Sequence, residues 1–237
     1  MKNRLHSSHK INPAPPVRGE NSLSCAQPAR AETGNPRDTD AWKSQDRQLV
    51  QIIDAASADA AHRSGPWLNC RLGCTQCCIG IFSISQLDAA RLREGLAALE
   101  TSAPETAAAI RRRAAESVQR LTPGFPGNLA TGQLDESDPA YEEFANDEPC
   151  PALDPVTGAC NLYEFRPVTC RVFGLPIRSE EGVAVCELNF VNATGPEILG
   201  AELDIVWSSL ETAANAEVEA VSGRTGTTTV AWALNTA

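Results

Sequence analysis

Cysteines, more than any other residues, constrain what this chain can fold into. Eight of its nine cysteines lie between positions 70 and 186, in a first stretch at 70–78 and a second that begins at position 150. The first stretch reads Cys-x3-Cys-x2-Cys-Cys and places four thiols within nine residues. Four thiols so close in sequence cannot reach four separate targets, so the pattern predicts that they converge on one small object. A metal ion or an iron–sulfur cluster fits, because each is held by about four thiolates at roughly 2.3 Å.

The residue types around these thiols narrow the choice of metal. No histidine lies between positions 70 and 186, which removes the mixed Cys/His zinc finger. An all-sulfur donor set is soft, so it favours zinc or iron–sulfur and excludes magnesium and calcium. The sequence leaves three arrangements open: two all-cysteine zinc sites of four ligands each, one 4Fe-4S cluster beside a zinc ion, or a single shared cluster.

Two arginines flank one cysteine of the second stretch, in the order Arg166-Pro167-Val168-Thr169-Cys170-Arg171. Several thiolates around one or two cations leave excess negative charge, and a guanidinium can offset it and donate hydrogen bonds to sulfur. We therefore predict that Arg166 and Arg171 help to bind the cofactor. The alternative is a salt bridge away from the metal, for example with Glu164. Both cysteine stretches are rich in turn residues, so the metal is expected to be the main link between them.

Charge and hydrophobicity limit the partners. The chain has 30 acidic and 20 basic residues, a net charge of −10, which disfavours nucleic acid and anionic membrane surfaces. No apolar run approaches the ~20 residues that span a bilayer, and the N-terminus lacks the apolar segment of an export signal. The expected location is the cytoplasm, where clustered cysteines favour metal or redox chemistry over structural disulfides. A protein partner is left open.

The sequence divides into a tail, a domain and a second tail. Residues 1–40 are rich in Pro, Asn, Ser and Arg and are expected to be a disordered N-terminal tail that carries Cys25 as a spare thiol. Residues 41–220 are expected to form the cysteine-cluster domain. Residues 221–237 are expected to be a loose C-terminal tail, although Val230–Leu234 could also dock onto the domain.

Periodic apolar residues predict mainly helical structure within that domain. We expect a fold that is mainly α with small irregular β and turn elements, in which a compact Cys-rich metal-binding core packs against helices. A long acidic segment at 122–149 is expected to be a lid, a binding loop or disordered. The predicted helices span residues 42–63, 85–100, 104–121 and 194–220.

The two stretches together resemble a known family. The Cys-x3-Cys-x2-Cys-Cys stretch, followed by Cys-Pro-x-Leu and by Cys-x-Leu-Tyr-Glu-x-Arg-Pro-x-x-Cys-Arg-x-Phe, is similar to the YkgJ-like cysteine-cluster family of zinc- or iron-chelating domains. The resemblance covers about residues 70–186. It implies metal chelation by Cys70, Cys74, Cys77, Cys78, Cys150, Cys160, Cys170 and Cys186.

Two functions compete on this basis. The first is a protein that holds zinc or iron without catalysis, favoured by closed all-cysteine ligation and by the lack of a phosphate loop, zinc-protease helix or nucleophile elbow. The second is an iron–sulfur enzyme in redox chemistry or protein modification, favoured by more cysteines than one structural site needs. A secreted disulfide domain is disfavoured, because no export signal is visible.

Overall fold

A computed structural model describes residues 41–179, 182–205 and 207–235. The predicted disordered tail at 1–40, with Cys25, lies outside the described residues. The fold is mainly helical with few small strands, as predicted. None of the helices within the described ranges is long and apolar enough to cross a membrane. The α-helices are α1 Ala41–Ser64, α2 Gln86–Ser102, α3 Pro104–Leu121, α4 Val168–Val172, α5 Gly195–Gly200, α6 Ser208–Ser222 and α7 Val230–Asn235, and short 3₁₀ helices lie at Gly65–Trp67, Gln76–Cys78, Pro139–Glu143 and Tyr163–Phe165.

The first three helices begin and end close to their predicted positions because their ends are encoded locally. The Ser85 hydroxyl accepts a hydrogen bond from the Asp88 amide (3.1 Å) and so caps the N-terminus of α2. Pro104 opens α3, where its missing N–H costs nothing. Gly65, at a φ of 51°, directly follows α1 in a conformation that glycine adopts easily.

The predicted helix over 194–220 is wrong as a single element, since the chain forms α5 and α6 with an irregular segment between them. The start is as expected, because the Glu197 carboxylate accepts hydrogen bonds from the amide and the hydroxyl of Thr194, each at 2.7 Å. After α5 the chain turns inward instead of continuing. The Leu203 amide donates to the Pro176 carbonyl (2.8 Å), and Leu203 is buried. A tertiary contact therefore overrides the helical pattern.

The helices pack around α2. It contacts α3 and α7 on one side and α6 on another, and α1 packs against α6. Gly95 of α2 is required at one crossing, because a Cβ there would lie 2.4 Å from the Phe165 ring. The core within the described residues includes Leu92, Leu96 and Ile110 between α2 and α3, all buried.

The C-terminal residues are not a loose tail over 230–235. Ala231, Trp232, Ala233 and Leu234 are buried in α7, which packs against α2 and α3. Trp232 lies beside Phe125, with ring centroids 4.1 Å apart. The burial of this aromatic ring supplies the free energy that a short helix lacks by itself.

The acidic segment at 122–149 is folded onto this C-terminal helix. It contains a hairpin of β1 (Gly127–Asn128) and β2 (Gln133–Leu134) and the 3₁₀ helix at Pro139–Glu143. Leu134 and Tyr141 are buried in the same cluster as Trp232. A second hairpin, β3 (Ile177–Ser179) with β4 (Gly182–Ala184), follows α4. The segment at 122–149 and α7 thus share one buried apolar cluster.

Candidate metal centre

The two cysteine stretches are joined directly through the backbone. The Cys150 amide donates to the Cys78 carbonyl (2.8 Å), and the Gly80 amide donates to the Glu148 carbonyl (2.9 Å). These bonds form a short antiparallel bridge between segments far apart in sequence. The sequence predicts that the metal is the main link between the two stretches. These backbone hydrogen bonds are a second link, which the sequence did not predict.

One cavity of about 890 Å³ opens between these segments. Its walls come from α1, the first cysteine stretch, the second stretch, α4 and the start of α7. All eight cysteines of the described residues are free thiols; Cys70 is exposed and the others are partly buried. The cysteines that line this cavity are Cys70, Cys74, Cys77, Cys78, Cys150, Cys160, Cys170 and Cys186.

The thiols share the cavity without forming a finished ligand shell. In the described part of the chain, no three His, Cys, Asp or Glu side chains stand in the arrangement of a metal site. The donor chemistry nevertheless fits zinc or iron, because the reduced thiols of the cavity are soft ligands for both. The individual ligand assignments remain predictions.

Electrostatic interactions group the thiols into two sets that cut across the two stretches and meet at Cys70 and Cys77. The outer set is Cys70, Cys74 and Cys186, since Cys186 interacts with the other two. The inner set contains five thiols, of which Cys170 interacts with four and Cys78 with three. Its members are Cys77, Cys78, Cys150, Cys160 and Cys170.

Hydrogen bonding and burial give the inner thiols very different acidities. The Cys78 thiol hydrogen-bonds the Cys77 sulfur and lowers the pKa of Cys77 to about 7, and Arg166 adds a smaller lowering effect. Burial raises the pKa of Cys150 to about 12 and that of Cys170 well above its ordinary value. A cation that bound the Cys150 and Cys170 sulfurs would have to displace their protons, so its affinity would rise with pH.

Asn189 organises the outer set, a role that no sequence pattern indicates. Its buried side chain accepts a hydrogen bond from the Asn69 amide (2.8 Å) and donates to the Gly174 carbonyl (2.7 Å). The same amide nitrogen lies 3.3 Å from the Cys70 sulfur, to which it also donates. The side chain therefore fixes the start of the first stretch and supplies an N–H group to one predicted ligand.

Arg171 is buried, and its hydrogen bonds go to oxygen rather than to sulfur. Its guanidinium donates to both carboxylate oxygens of Asp54 on α1 (2.8 and 2.7 Å) and to the carbonyls of Arg166 (3.1 Å) and Glu164. All the contacts that the structure gives this guanidinium hold α4 and the preceding turn against α1. The predicted donation from Arg171 to sulfur is therefore not present, and an acidic partner was correctly considered, although it is Asp54 and not the Glu164 carboxylate.

Arg166 is the arginine whose charge acts on the thiols. Its guanidinium lies 3.7 Å from the centroid of the Tyr163 ring and donates to the Tyr163 carbonyl (3.3 Å). From there its positive charge favours the thiolate forms of Cys77 and Cys160. It also lines the cavity. The cofactor-binding role predicted for Arg166 is compatible with this position.

A buried ionic network on α2 positions Cys170, and sequence reasoning missed it. Arg91 donates to both carboxylate oxygens of Asp46, to Asp88 (2.6 Å) and to the Arg166 carbonyl (3.2 Å). Asp88 in turn accepts a hydrogen bond from the Val168 amide (3.1 Å), the first N–H of α4. The only signal in the sequence was the Asp88-x-x-Arg91 spacing, which places both side chains on one face of a helix.

Comparison with known proteins gives one family match. The family named CxxCxxCC, described as "putative zinc- or iron-chelating domain", matches residues 69–187. This chain departs from the literal name, since three residues separate its first two cysteines. No curated protein and no solved structure shows a significant match to the chain.

Proposed function

Because the chain belongs to the CxxCxxCC family of zinc- or iron-chelating domains, we propose that it is a metal-binding protein that holds zinc or iron through clustered cysteine thiolates. The observation that carries the proposal is the single cavity lined by eight free thiols from both cysteine stretches. Soft thiolates bind zinc and iron in preference to hard cations, so the cavity walls match the family's chemistry.

In this proposal, different residues have different roles in binding the cation. The thiols supply the ligands and lose their protons on binding, which is easiest at Cys77 and hardest at Cys150 and Cys170. Arg166 offsets part of the accumulated negative charge. The Asp88 and Arg91 network holds α4, and with it Cys170, at the cavity wall. The proposed ligands are Cys70, Cys74, Cys77, Cys78, Cys150, Cys160, Cys170 and Cys186.

In this proposal the metal is structural or carried, and the protein resides in the cytoplasm. The clustered cysteines support that location, because in a reducing compartment they favour metal or redox chemistry over structural disulfides. Zinc supplies a redox-inert tetrahedral centre, whereas iron or a 4Fe-4S cluster would add electron transfer.

A second candidate function is an iron–sulfur enzyme that acts in redox chemistry or protein modification. The observation that favours it is the size of the cavity, about 890 Å³, which is far larger than an ion needs and falls within the usual range of small-molecule pockets. Phe82, Phe173 and Leu175 give part of its wall an apolar surface on which a substrate could pack.

The test is metal and sulfide analysis of protein purified without oxygen. We expect zinc or iron in at least equimolar amount, and loss of most of it in Cys170→Ser, while Cys25→Ser keeps the wild-type content. Neither metal in the wild-type protein would overturn the proposal. Acid-labile sulfide with a broad visible absorption band would favour the second candidate, and zinc without sulfide the first.

A further inference from the structure

We propose that the part of the cavity that lies along α1 binds a small organic molecule, one that is uncharged, mainly apolar and carries a hydrogen-bond acceptor at one end. The inference deepens the proposed function, because it names a class of ligand for the same cavity. It rests on that function in one respect, since the preference for an uncharged ligand depends on the negative charge of metal-bound thiolates.

Two aromatic rings form an apolar surface inside the cavity. Phe82 and Phe173 pack edge to face, with ring centroids 5.5 Å apart, and both line the cavity and stay partly exposed. Leu68 and Leu175 add aliphatic side chains to the same wall. A cation bound through sulfur cannot cover these carbon atoms. Apolar surface in contact with water is unfavourable in proportion to its area, so an apolar ligand gains affinity by covering it.

Helix α1 supplies another wall and sets the length of the site. Asp54, Ala58 and Ala61 line the cavity, and their spacing of four and three residues places them on one face of the helix. Asp54 and Ala61 are separated by about 10 Å along the helix axis, at a rise of about 1.5 Å per residue. Leu68, which follows the end of α1, packs in the same apolar cluster as Ala61. The Ala61 end of the site is therefore the apolar end.

The Asp54 end of the site carries hydrogen-bond donors. The Arg166 guanidinium lines the cavity, and its Nη2 lies 4.0 Å from the Asp54 carboxylate, which pairs more closely with Arg171 (2.7 Å). Among the described residues, the Arg166 side chain donates one hydrogen bond, from Nη1 to the Tyr163 carbonyl (3.3 Å). A guanidinium has five N–H groups, so those that remain can donate to an acceptor on a ligand.

The charges around Arg166 favour a ligand without a charge of its own. Metal-bound thiolates carry excess negative charge, and the Asp54 carboxylate adds to it. An anionic ligand would meet this repulsion, whereas a neutral carbonyl or hydroxyl oxygen accepts from the guanidinium without adding charge. The class that fits is an alcohol, a ketone or a similar molecule. A chain of about eight carbon atoms, extended over about 10 Å, matches the length of the site.

Straight-chain primary alcohols from butanol to octanol are the probes. Full-length protein with isotopically labelled phenylalanine, purified without oxygen, is titrated with each alcohol and followed by NMR. We expect the ring resonances of Phe82 and Phe173 to shift, and that of Phe165, which lies outside the cavity wall, to stay in place. The dissociation constant should fall about fourfold for each added CH₂ group. Octanoate, which carries a charge on a body of the same length, should bind about tenfold more weakly than octanol.

Two matched substitutions on α1 locate the site. Ala58→Phe places a ring at the cavity wall, and because Ala58 is exposed the core is left undisturbed. This variant should bind octanol about tenfold more weakly than wild type, since the ring takes up part of the space of the ligand. Ala55→Phe makes the same change at an exposed position of the same helix that does not line the cavity, and it should bind octanol as wild type does.

Four results would each overturn the inference: affinity that does not rise with chain length, unshifted Phe82 and Phe173 resonances, equal weakening by Ala58→Phe and Ala55→Phe, or octanoate bound as tightly as octanol by metal-bearing protein. Metal analysis of the same samples separates this inference from the proposed function. Protein without zinc or iron would overturn the proposed function, whereas the alcohol series and the two substitutions decide the inference on the protein as purified.

Discussion

At the scale of single residues, hydrogen bonds decide how the cysteines differ. Cys77 and Cys78 are neighbours in sequence, yet the Cys78 thiol donates a hydrogen bond to the Cys77 sulfur. This bond lowers the pKa of Cys77 and raises that of Cys78. Asn189 does for Cys70 what a backbone amide often does for a metal-bound thiolate. The same types of side chain therefore play unequal roles, which their spacing alone does not reveal.

Cys77 should be the most reactive inner thiol of the metal-free protein. Thiolate is the nucleophile, and its fraction at Cys77 rises as pH increases through a pKa of about 7. A short pulse of iodoacetamide, read out by peptide mass spectrometry from pH 6 to 9, should label Cys77 with a midpoint near pH 7 and leave Cys150 and Cys170 largely unlabelled. Cys78→Ala should raise that midpoint by removing the donor, whereas Cys78→Ser, which keeps a hydroxyl donor, should raise it less. Equal midpoints in the two variants would contradict the assigned hydrogen bond.

Replacing each of the two arginines should affect a different property: Arg171 the stability of the fold, and Arg166 the retention of metal. Arg171→Ala leaves Asp54 and two carbonyls without their donor, so we expect a loss of about 2–4 kcal/mol in the free energy of unfolding of the metal-free protein. Arg166→Ala should change stability less but speed metal release to a chelator about threefold to tenfold, roughly 1 kcal/mol of lost charge interaction.

Urea unfolding and chelator challenge give the two readouts for the arginines. Arg111→Ala serves as the control, because its ion pair with Glu100 is on the surface, with both side chains 44% exposed, and should be worth about 1 kcal/mol or less. If Arg171→Ala accelerated metal release while leaving the unfolding midpoint unchanged, its assignment as a structural clamp would be wrong.

At the scale of elements, α2 is the piece on which the site depends. It packs against α3, α6 and α7. Its Asp88 and Arg91 side chains reach across to hold the start of α4. A charged network in this position is costly unless every member is paired, and Arg91 is buried with Asp46 and Asp88 both in hydrogen-bond contact. The position of α2 therefore determines the position of Cys170 on α4.

The stability of the contact between α6 and this network should depend on pH through Glu211. Burial raises the pKa of Glu211 to about 7, and the Asp88 carboxylate adds to the shift while Arg91 opposes it. Because the folded-state pKa lies above the unfolded value, this group stabilises the fold at low pH, and that contribution is lost as pH rises from about 4.5 to 7.

Replacing Glu211 by a neutral residue should remove this loss of folding stability at higher pH. We expect Glu211→Gln to be close to wild type near pH 4 and to gain in relative stability by about 2 kcal/mol at pH 8, measured by urea unfolding of matched metal-free samples. Glu217→Gln makes the same chemical change further along α6 and is the control. A stability difference between Glu211→Gln and wild type that does not change with pH would contradict the raised pKa.

At the scale of the whole molecule, the helical body and the cysteine cavity are not equally dependent on metal. The core of α2, α3 and α7 is built from buried apolar side chains, including Leu96, Ile110 and Leu234. The cavity lies at one side of this body, and its two cysteine segments already share backbone hydrogen bonds. Binding energy should therefore order the cavity without being needed to fold the body.

Hydrogen exchange with and without metal tests this partition. After chelation under reducing conditions, we expect the amides of α2, α3 and α7 to keep their protection, and the Cys150 and Gly80 amides to keep part of theirs. The turn at 70–74 and the segment at 186–189 should lose theirs. Loss of protection throughout residues 70–190 would mean that the metal is the main link, as the sequence alone suggested.

Local features of the sequence determined much of the fold. The N-cap at Ser85, the proline that opens α3 and the apolar periodicity of α1 to α3 act between near neighbours, so they could be predicted without tertiary information. The same holds for the character of the site. Cysteines clustered at close spacing without histidine point to soft-metal chemistry, and the family match agrees.

Only the tertiary structure decided how distant residues meet. It broke the last predicted helix, because the Leu203 amide donates to the Pro176 carbonyl. It buried α7, because the Trp232 ring packs against Phe125. It also brought the thiols of both stretches to the wall of one cavity. Such contacts depend on the free energy of burying apolar groups and pairing charges between remote segments, and no pattern within a single segment contains that energy.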